Sequence, residues 1–264
     1  MNRYEGRRVL ITGGGSGIGR ATVHRILSEG GRVHTVDVSE AGLKATADRA
    51  LADGHGERLT TTVLDISDEA AVRTGVAAAV AALGGIDVLV NAAGILRSAH
   101  THQTTLDLWN QVISVNLTGT FLVIREALPA LLEGDQPVVV NFSSTSASFA
   151  HPYMSAYAAS KGGIQSMTHA LAAEYSKQGL RFVAVAPRLH RVRDDHRQRP
   201  RPARGHRLEP VHQARPRPRP GLRRPADRRR RRRDAGLRGR RLHHRYGDPH
   251  RRRHALLGGV ALSP

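Results

Sequence analysis

The chain contains no cysteine, which excludes disulfides and thiolate chemistry and gives no sign of an oxidising compartment. The N-terminus lacks the long apolar segment and small-residue cleavage site of a signal peptide, because Met1 to Arg8 runs directly into the short stretch Val9-Leu10-Ile11. A membrane-length apolar run is also missing. The most apolar region, 75–95, is broken by Gly84-Gly85, Asp87 and Asn91 and reads as helix, turn and strand. A soluble cytoplasmic protein with no membrane partner is expected. Its length suits one α/β domain with a substantial core.

Charge is unevenly placed. The net value of +19 suggests a nucleic-acid binder until it is located. Residues 1–187 hold 15 Lys and Arg against 16 Asp and Glu, whereas residues 188–264 hold 26 against 6. The first segment is neutral and the second strongly basic, so the two require separate explanations.

The first segment opens on Val9-Leu10-Ile11-Thr12, a short buried strand. Gly13-Gly14-Gly15-Ser16-Gly17-Ile18-Gly19 follows at once, and Arg20 to Ser28 reads as a helix ended by Gly30-Gly31. In that context the glycines let the backbone approach a pyrophosphate resting on the helix N-terminus. A plain glycine-rich turn is the alternative. A second strand, Arg32 to Val38, carries Asp37, placed to bind both hydroxyls of an adenosine ribose and to repel a 2′-phosphate. No basic residue stands beside Asp37 or within the glycine loop, so NAD is favoured and NADP less so. Otherwise Asp37 is a capping or turn residue.

Further along, Ala41 to Ala52 reads as helix, and Leu59 to Leu64 as a strand ending at Asp65. Glu69 to Leu83 is an alanine-rich helix, and the strand Ile86 to Val90 leads into Asn91-Ala92-Ala93-Gly94. Leu106 to Asn116 and Phe121 to Leu132 carry a helical pattern, followed by the strand Val138 to Phe142. The helix Ser155 to Gln178 and the strand Arg181 to Val185 complete the segment. The alternation predicts an α/β fold, a Rossmann-type doubly wound parallel sheet with helices on both faces. Ligands of such sheets bind beyond the carboxyl ends of the strands, which is where Ser144 falls.

Tyr157 and Lys161 are four apart on the last helix and so share a face. A neighbouring ammonium favours the phenolate, lowering the Tyr157 pKa towards the neutral range and making it usable as a proton donor and acceptor. A pair on a solvated helix face is the alternative. Thr12-Gly-x-x-x-Gly17-x-Gly19, Asn91-Ala-Ala-Gly94, Asn116, Ser144 and Tyr157-x-x-x-Lys161, in this order and spacing, resemble the short-chain dehydrogenase/reductase family. The resemblance spans residues 6–187, and Ala186-Pro187 opens a further family motif.

The resemblance implies an NAD-dependent oxidoreductase that interconverts a secondary alcohol and a ketone. Tyr157 would be the general acid/base, and Lys161 would tune it and bond the nicotinamide ribose. Ser144 would orient the substrate oxygen, and Asn116 would hold a proton-relaying water, unless it merely bonds the local backbone. Gly13, Gly15, Ser16, Gly17, Ile18 and Gly19 would cradle the cofactor together with Asp37, Asp65, Asn91, Ala92, Gly94 and Pro187. No metal is implied, and a homo-oligomer, tetramer or dimer, would form through the helices in 106–132 and 155–178. The substrate pocket falls partly in Arg97 to Thr105 and Ala147 to Met154, where His100, His102, Phe149 and Tyr153 either line it or serve as surface-loop residues, and partly in the segment after Pro187. Tyr153 is not the proton donor, since Tyr157 and not a lysine stands four residues on.

The domain is accordingly expected over 1–187, without its last strand and helix. Residues 188–264 form an Arg/Pro-rich tail in which Arg215 to Pro220 alternates, Arg228 to Arg233 is unbroken arginine and hydrophobic periodicity is lost. Composition predicts an irregular segment able to contact phosphates or acidic surfaces. His250 and His254 lack an acidic or cysteine partner for a metal.

A frame-shifted gene explains the tail more fully. Possible codons for Arg188 to Arg197, read one base later, give GSIASGMTTG, which continues Ala186-Pro187 as the family does. The same shift turns Leu242 to His254 into FITGMEIRIDGGT, resembling the family's last strand. A chain with the tail as written is expected to be inactive or poorly folded, leaving a dinucleotide-binding remnant or a nucleic-acid binder as the other functional readings.

Overall fold

The structure, a computed structural model, describes residues 2–187. The arginine-rich tail, the His250/His254 pair and the expected irregularity after Pro187 lie outside the described residues.

Six parallel strands are laid down in the order expected of a doubly wound sheet: β1 (Arg8–Thr12), β2 (Arg32–Asp37), β3 (Leu59–Val63), β4 (Val88–Asn91), β5 (Val138–Phe142) and β6 (Arg181–Val185), arranged 3-2-1-4-5-6. The order reverses between β1 and β4, and the crevice at their carboxyl ends is the switch point. Helices α1 (Gly17–Ser28) and α2 (Glu40–Ala52) cover one face. α3 (Glu69–Leu83), α5 (Gly119–Leu132) and α6 (Ser155–Tyr175) cover the other.

Strand alternation sorts the two cores. Val9, Ile11, Val33, Val88 and Val90 meet Val23, Ile26, Leu27 and Ala50 on the first face. Leu10, Leu89, Val139 and Phe182 meet Val76, Leu83, Val123 and Leu131 on the second. Both faces of a parallel sheet must be covered, which is why its strands read as continuous apolar runs. Register also places Val138, Val140 and Phe142 beside Val183 and Val185 on the first face. Val183 and Val185 remain 45% and 40% exposed.

Leu106–Leu132 is one continuous helical run, apolar and long enough by composition to cross a membrane. Its residues Val112, Leu122, Val123, Ile124, Ala127 and Leu131 are buried, and those of α5 pack in the core against the sheet. Between α4 (Leu106–Ile113) and α5 the run widens into a π-turn, Ser114–Thr118.

The amino ends of the strands are tied by one carboxylate. Asp87, just before β4, accepts from Arg8 Nη2 (2.6 Å), Arg8 Nε (3.1 Å), Arg8 N (2.9 Å) and Asp135 N (2.9 Å). Arg8 also donates to Gly84 O. β1, the α3–β4 turn and the α5–β5 turn therefore meet at this point.

His34 on β2 is buried, with Nδ1 2.8 Å from Thr60 Oγ1 and no partner for Nε2. Burial lowers its pKa below the ordinary histidine value. The unfolded chain therefore takes up a proton before the folded one does. Stability from the neutral ring is full above about pH 6.5 and falls as pH drops through that value. His24, also lowered by burial, acts in the same direction. The melting temperature should decline between about pH 7.5 and about pH 5.5, and less steeply in His34→Val. Equal slopes for parent and variant would show that His34 carries none of it.

Candidate active site

The glycine loop turns back on itself under the carboxyl end of β1. Gly13 has φ +78°, and a Cβ there would lie 2.7 Å from the Ala93 backbone. Gly17, at φ +51°, has open space where a Cβ would stand, so conformation alone reserves that position for glycine. α1 starts at Gly17 with Ser16 as its N-cap, and neither a capping side chain nor an acidic residue occupies its first turn. Its free N–H groups and positive dipole end thus face a cleft of about 480 Å³. Gly13, Ser16, Gly17, Ile18 and Gly19 line that cleft with Asp37, Asp65, Ala92, Ala93 and Gly94.

Asp37 holds two turns at once, accepting from Gly15 N and Ser39 N, each at 2.9 Å. An ionised carboxylate has about four acceptor positions, so both oxygens keep capacity toward the cleft. Asp65 accepts from Ser67 N (2.9 Å) and Ser67 Oγ (2.7 Å). Arg20, one residue beyond the loop, donates to Gly15 O, to Thr46 Oγ1 at 3.1 Å and to Gly42 O at 3.3 Å, binding the loop to α2.

At the carboxyl end of β5 a second cluster gathers. Ser144 is buried and accepts from Ser146 N at 3.1 Å, which starts the short turn Thr145–Ala147. Ser143 Oγ donates to Lys161 O (3.0 Å) and Lys161 Nζ to Phe142 O (2.6 Å), so α6 is pinned to the end of β5. Asn116, in the π-turn and fully buried, donates from Nδ2 to Ile95 O (2.9 Å) and Ser160 Oγ (3.1 Å) and accepts from Ile95 N (2.8 Å). A Cβ on Gly94 would lie 3.2 Å from Asn116 Oδ1 and 3.6 Å from Lys161 Nζ, so these three converge.

The Tyr157–Lys161 geometry corrects one expectation. Lys161 Nζ lies 5.8 Å from the Tyr157 ring centre, as their spacing requires. The Tyr157 pKa nevertheless moves up, because burial disfavours the phenolate and outweighs hydrogen bonding from Ser144. Burial also brings Lys161 down to about 8 and weakens its claim to a full charge. The ammonium points to Phe142 O.

A sequence model of the short-chain dehydrogenases matches residues 7–200. The chain belongs to the short-chain dehydrogenase/reductase family. This dehydrogenase is 40% identical to levodione reductase of Leifsonia aquatica over 186 residues, 70% of each chain. It is 35% identical over 186 residues to 2-dehydro-3-deoxy-L-rhamnonate dehydrogenase (NAD(+)) of a Sphingomonas strain, covering 70% of this chain and 72% of that one. A crystal structure of a short-chain dehydrogenase from Mycobacterium smegmatis superposes with a TM-score of 0.68 at 33% identity, covering 72% and 78% of the two chains. The enzyme is thus an oxidoreductase of a family that binds a nicotinamide dinucleotide and acts on small-molecule alcohols and ketones.

Of the residues singled out in the dehydrogenase's sequence, the glycine-loop residues other than Gly15, with Asp37, Asp65, Ala92 and Gly94, line this cleft, whereas Asn116, Ser144, Tyr157 and Lys161 form the neighbouring cluster. Gly15 does not line the cleft but donates to Asp37. Asn91 is buried in the sheet, where Nδ2 donates to Asn141 Oδ1 at 2.9 Å and its own Oδ1 has no partner. Asn91 thus ties β4 to β5. Pro187 O accepts from Thr145 N at 3.4 Å, beside Ser144. Val38, Leu64, Ile66, Gln111 and Val115 also line the cleft and were not anticipated. The first three flank Asp37 and Asp65, which could have marked them, whereas nothing in the sequence marks Gln111 or Val115. Among the described residues no group of three or more His, Asp or Glu is placed to hold a metal.

Proposed function

We propose that this dehydrogenase interconverts a secondary alcohol and a ketone using NAD, with Tyr157 exchanging the proton. The gathering of Ser144, Tyr157, Lys161 and Asn116 beside Gly94, which lines the cleft under the glycine loop, carries the reading. The residues fit the cofactor: the glycine loop leaves room for a pyrophosphate, the uncapped end of α1 favours its charge, and Asp37 keeps free acceptor positions. Bound NAD would supply or accept the hydride.

The chain's own residues handle the proton and the oxygen. Ser144 orients the substrate oxygen, and Tyr157, kept protonated by burial, gives its proton to that oxygen in reduction and takes it back in oxidation. Lys161 holds the ribose side of the site, and Asn116 positions the Gly94-Ile95 turn against it. An acidic Asp37, together with the NAD(+) specified for the Sphingomonas relative, supports NAD over NADP. Arg20 spends its donors on Gly15 O, Gly42 O and Thr46, which leaves a 2′-phosphate without an obvious cation. Asp37→Ala should cut the preference for NADH over NADPH about tenfold, ~1.4 kcal/mol. A parent enzyme that prefers NADPH would overturn the cofactor assignment.

Leu106, Trp109, Phe121 and Leu132 are exposed along α4 and α5, which supports a homo-oligomer through those helices, checked by light scattering.

We also infer that the coding frame is lost at residue 188. Two facts support this. The match to levodione reductase takes 70% of each chain, so the two are of nearly equal length and about 30% of each stays outside the match. The half-covered valines of β6 require apolar cover that a basic tail is poorly suited to give. Resequencing the DNA across Pro187 is the test, and absence of family sequence in the shifted frame would end the idea. NADH-dependent ketone reduction should be strong in the frame-restored version and weak in the chain as written. No turnover of any ketone or alcohol by either version would refute the oxidoreductase assignment made here.

A further inference from the structure

We propose that Thr46 and Arg20 are positioning residues for the dinucleotide. From behind the glycine loop they hold its carbonyls away from the cleft, and so aim the opposite N–H edges at Asp37 and at a diphosphate. The inference rests on the proposed seating of the cofactor against this loop.

Gly13-Gly14-Gly15 carries no side chain to fix its peptide planes, and each plane can turn over at little steric cost. A trans peptide points its C=O and its N–H in opposite directions, so whatever holds the carbonyl decides where the N–H points. Anions are bound by N–H edges, and a plane turned over would face the diphosphate with a carbonyl oxygen instead.

The planes are held one by one. Gly13 N and Gly14 N both donate to Val36 O, at 2.8 and 3.3 Å. Gly14 O accepts from Thr46 Oγ1 at 2.8 Å, and the other edge of the same plane, Gly15 N, donates to Asp37 Oδ2 at 2.9 Å. Gly15 O accepts from Arg20 Nη2, so the Ser16 N–H of that plane turns the opposite way. Ser16 lines the cleft and Gly15 does not. Thr46 therefore acts through Gly14 on Asp37, and Arg20 through Gly15 on Ser16.

The two holders are one unit. Arg20 Nε donates to Thr46 Oγ1 at 3.1 Å, and Thr46 is fully buried where α2 meets the loop. A Cβ on Gly42, one turn earlier, would lie 2.7 Å from Gly15 O, so the α2 backbone stands directly behind the loop. A helical threonine ordinarily bonds the carbonyl four residues back. Gly42 O is within reach at 3.0 Å, yet Gly14 O is nearer, and Arg20 Nη2 approaches Gly42 O at 3.3 Å. The single Thr46 proton is thus available to the loop. Valine would fill the same space with no hydroxyl to satisfy, so the polar atom has a task beyond packing.

The test is NADH fluorescence on the full chain, with ADP and adenosine measured by displacing NADH. Thr46→Val should weaken NADH and ADP about tenfold, and Thr46→Ser, which returns the hydroxyl, should recover most of that loss. Adenosine lacks the diphosphate, and Asp37 keeps its bond from Ser39 N, so its affinity should change by no more than about twofold. Arg20→Lys keeps the charge but not the fork, and should show the same pattern at about fivefold even if Thr46→Val fails to fold. Amide hydrogen exchange across 13–16, read without ligand, should quicken in Thr46→Val and return to the parental rate in Thr46→Ser. ADP affinity within about twofold of the parent in Thr46→Val, an equal loss for adenosine, or no recovery in Thr46→Ser would each overturn the positioning role. A parent that binds neither NADH nor ADP would sink the cofactor seating as well, whereas parental binding that Thr46→Val leaves intact sinks the positioning role alone.

Discussion

Replacing Tyr157 with Phe is expected to lower ketone reduction by about three orders of magnitude while leaving NADH affinity within about twofold. The substitution keeps the ring on α6 and removes only the hydroxyl, so a loss of activity with fold and NADH binding intact is chemical. Burial raises the phenol and keeps it protonated at neutral pH, the form that reduction requires. Oxidation requires the phenolate, so its rate should climb with pH through the alkaline range while reduction stays level. Lys161, at about 8, loses its charge within the same range and should blunt the climb. Stopped-time assays in both directions, on whichever version of the chain turns over, decide the matter. A Phe variant with more than about a tenth of parental activity would remove Tyr157 from the chemistry.

Asp87→Ala should instead damage stability and spare kinetics. Asp87 is buried and receives four hydrogen bonds from Arg8 and Asp135. Burial alone would raise its pKa, but these bonds prevail and hold it at about 2. Removing the carboxylate strands the Arg8 guanidinium and two backbone N–H groups, at a cost of about 3 kcal/mol or more. For a domain of this size that is a loss of about 6–12 °C in Tm. The clamp lies at the amino ends of the strands and the cleft at their carboxyl ends, so KM for cofactor should hold. The folded pKa is depressed, so the stabilisation is full above about pH 3.9 and is lost as pH falls towards 2. Acid unfolding of the variant should show a shallower slope across that window, measured by circular dichroism. A melting temperature within about 2 °C of the parent would show the clamp to be dispensable.

Elements with a strong apolar period are legible in the sequence. α3, β5 and β6 fall where the sequence places them, since each is bounded by unambiguous turn residues. β4 begins two residues later than its apolar run suggests because Asp87, inside that run, serves the clamp and not the ladder. α1 begins at Gly17, inside the glycine motif, because a helix can start on residues whose only task is to present N–H groups. The ligand cleft was legible through its glycines and its two aspartates.

Other features depended on three-dimensional contacts. The direction of the Tyr157 shift depends on how deeply the ring is buried, which helical spacing cannot convey. Asn91 and Arg20 carry polar groups whose targets lie on other elements, across β5 and α2, and spacing along the chain does not reveal them.

The π-turn at Ser114–Thr118 makes residue count as consequential as residue type. An α-helix advances about 100° per residue, so a wide turn amounts to one extra residue accommodated without breaking the run. Deleting one residue of that turn would regularise the helix with α4 and α5 still nearly in phase, because the wide turn already absorbs the rotation of the extra residue. The turn itself would change: Asn116 would lose the position from which it grips Ile95 through both amide atoms, and Val115 its place on the cleft, while Gln111 on α4 would keep its own. Loops tolerate single-residue insertions and deletions, but here one residue inside a buried helix decides whether the Ile95 wall of the ligand cleft is held in place.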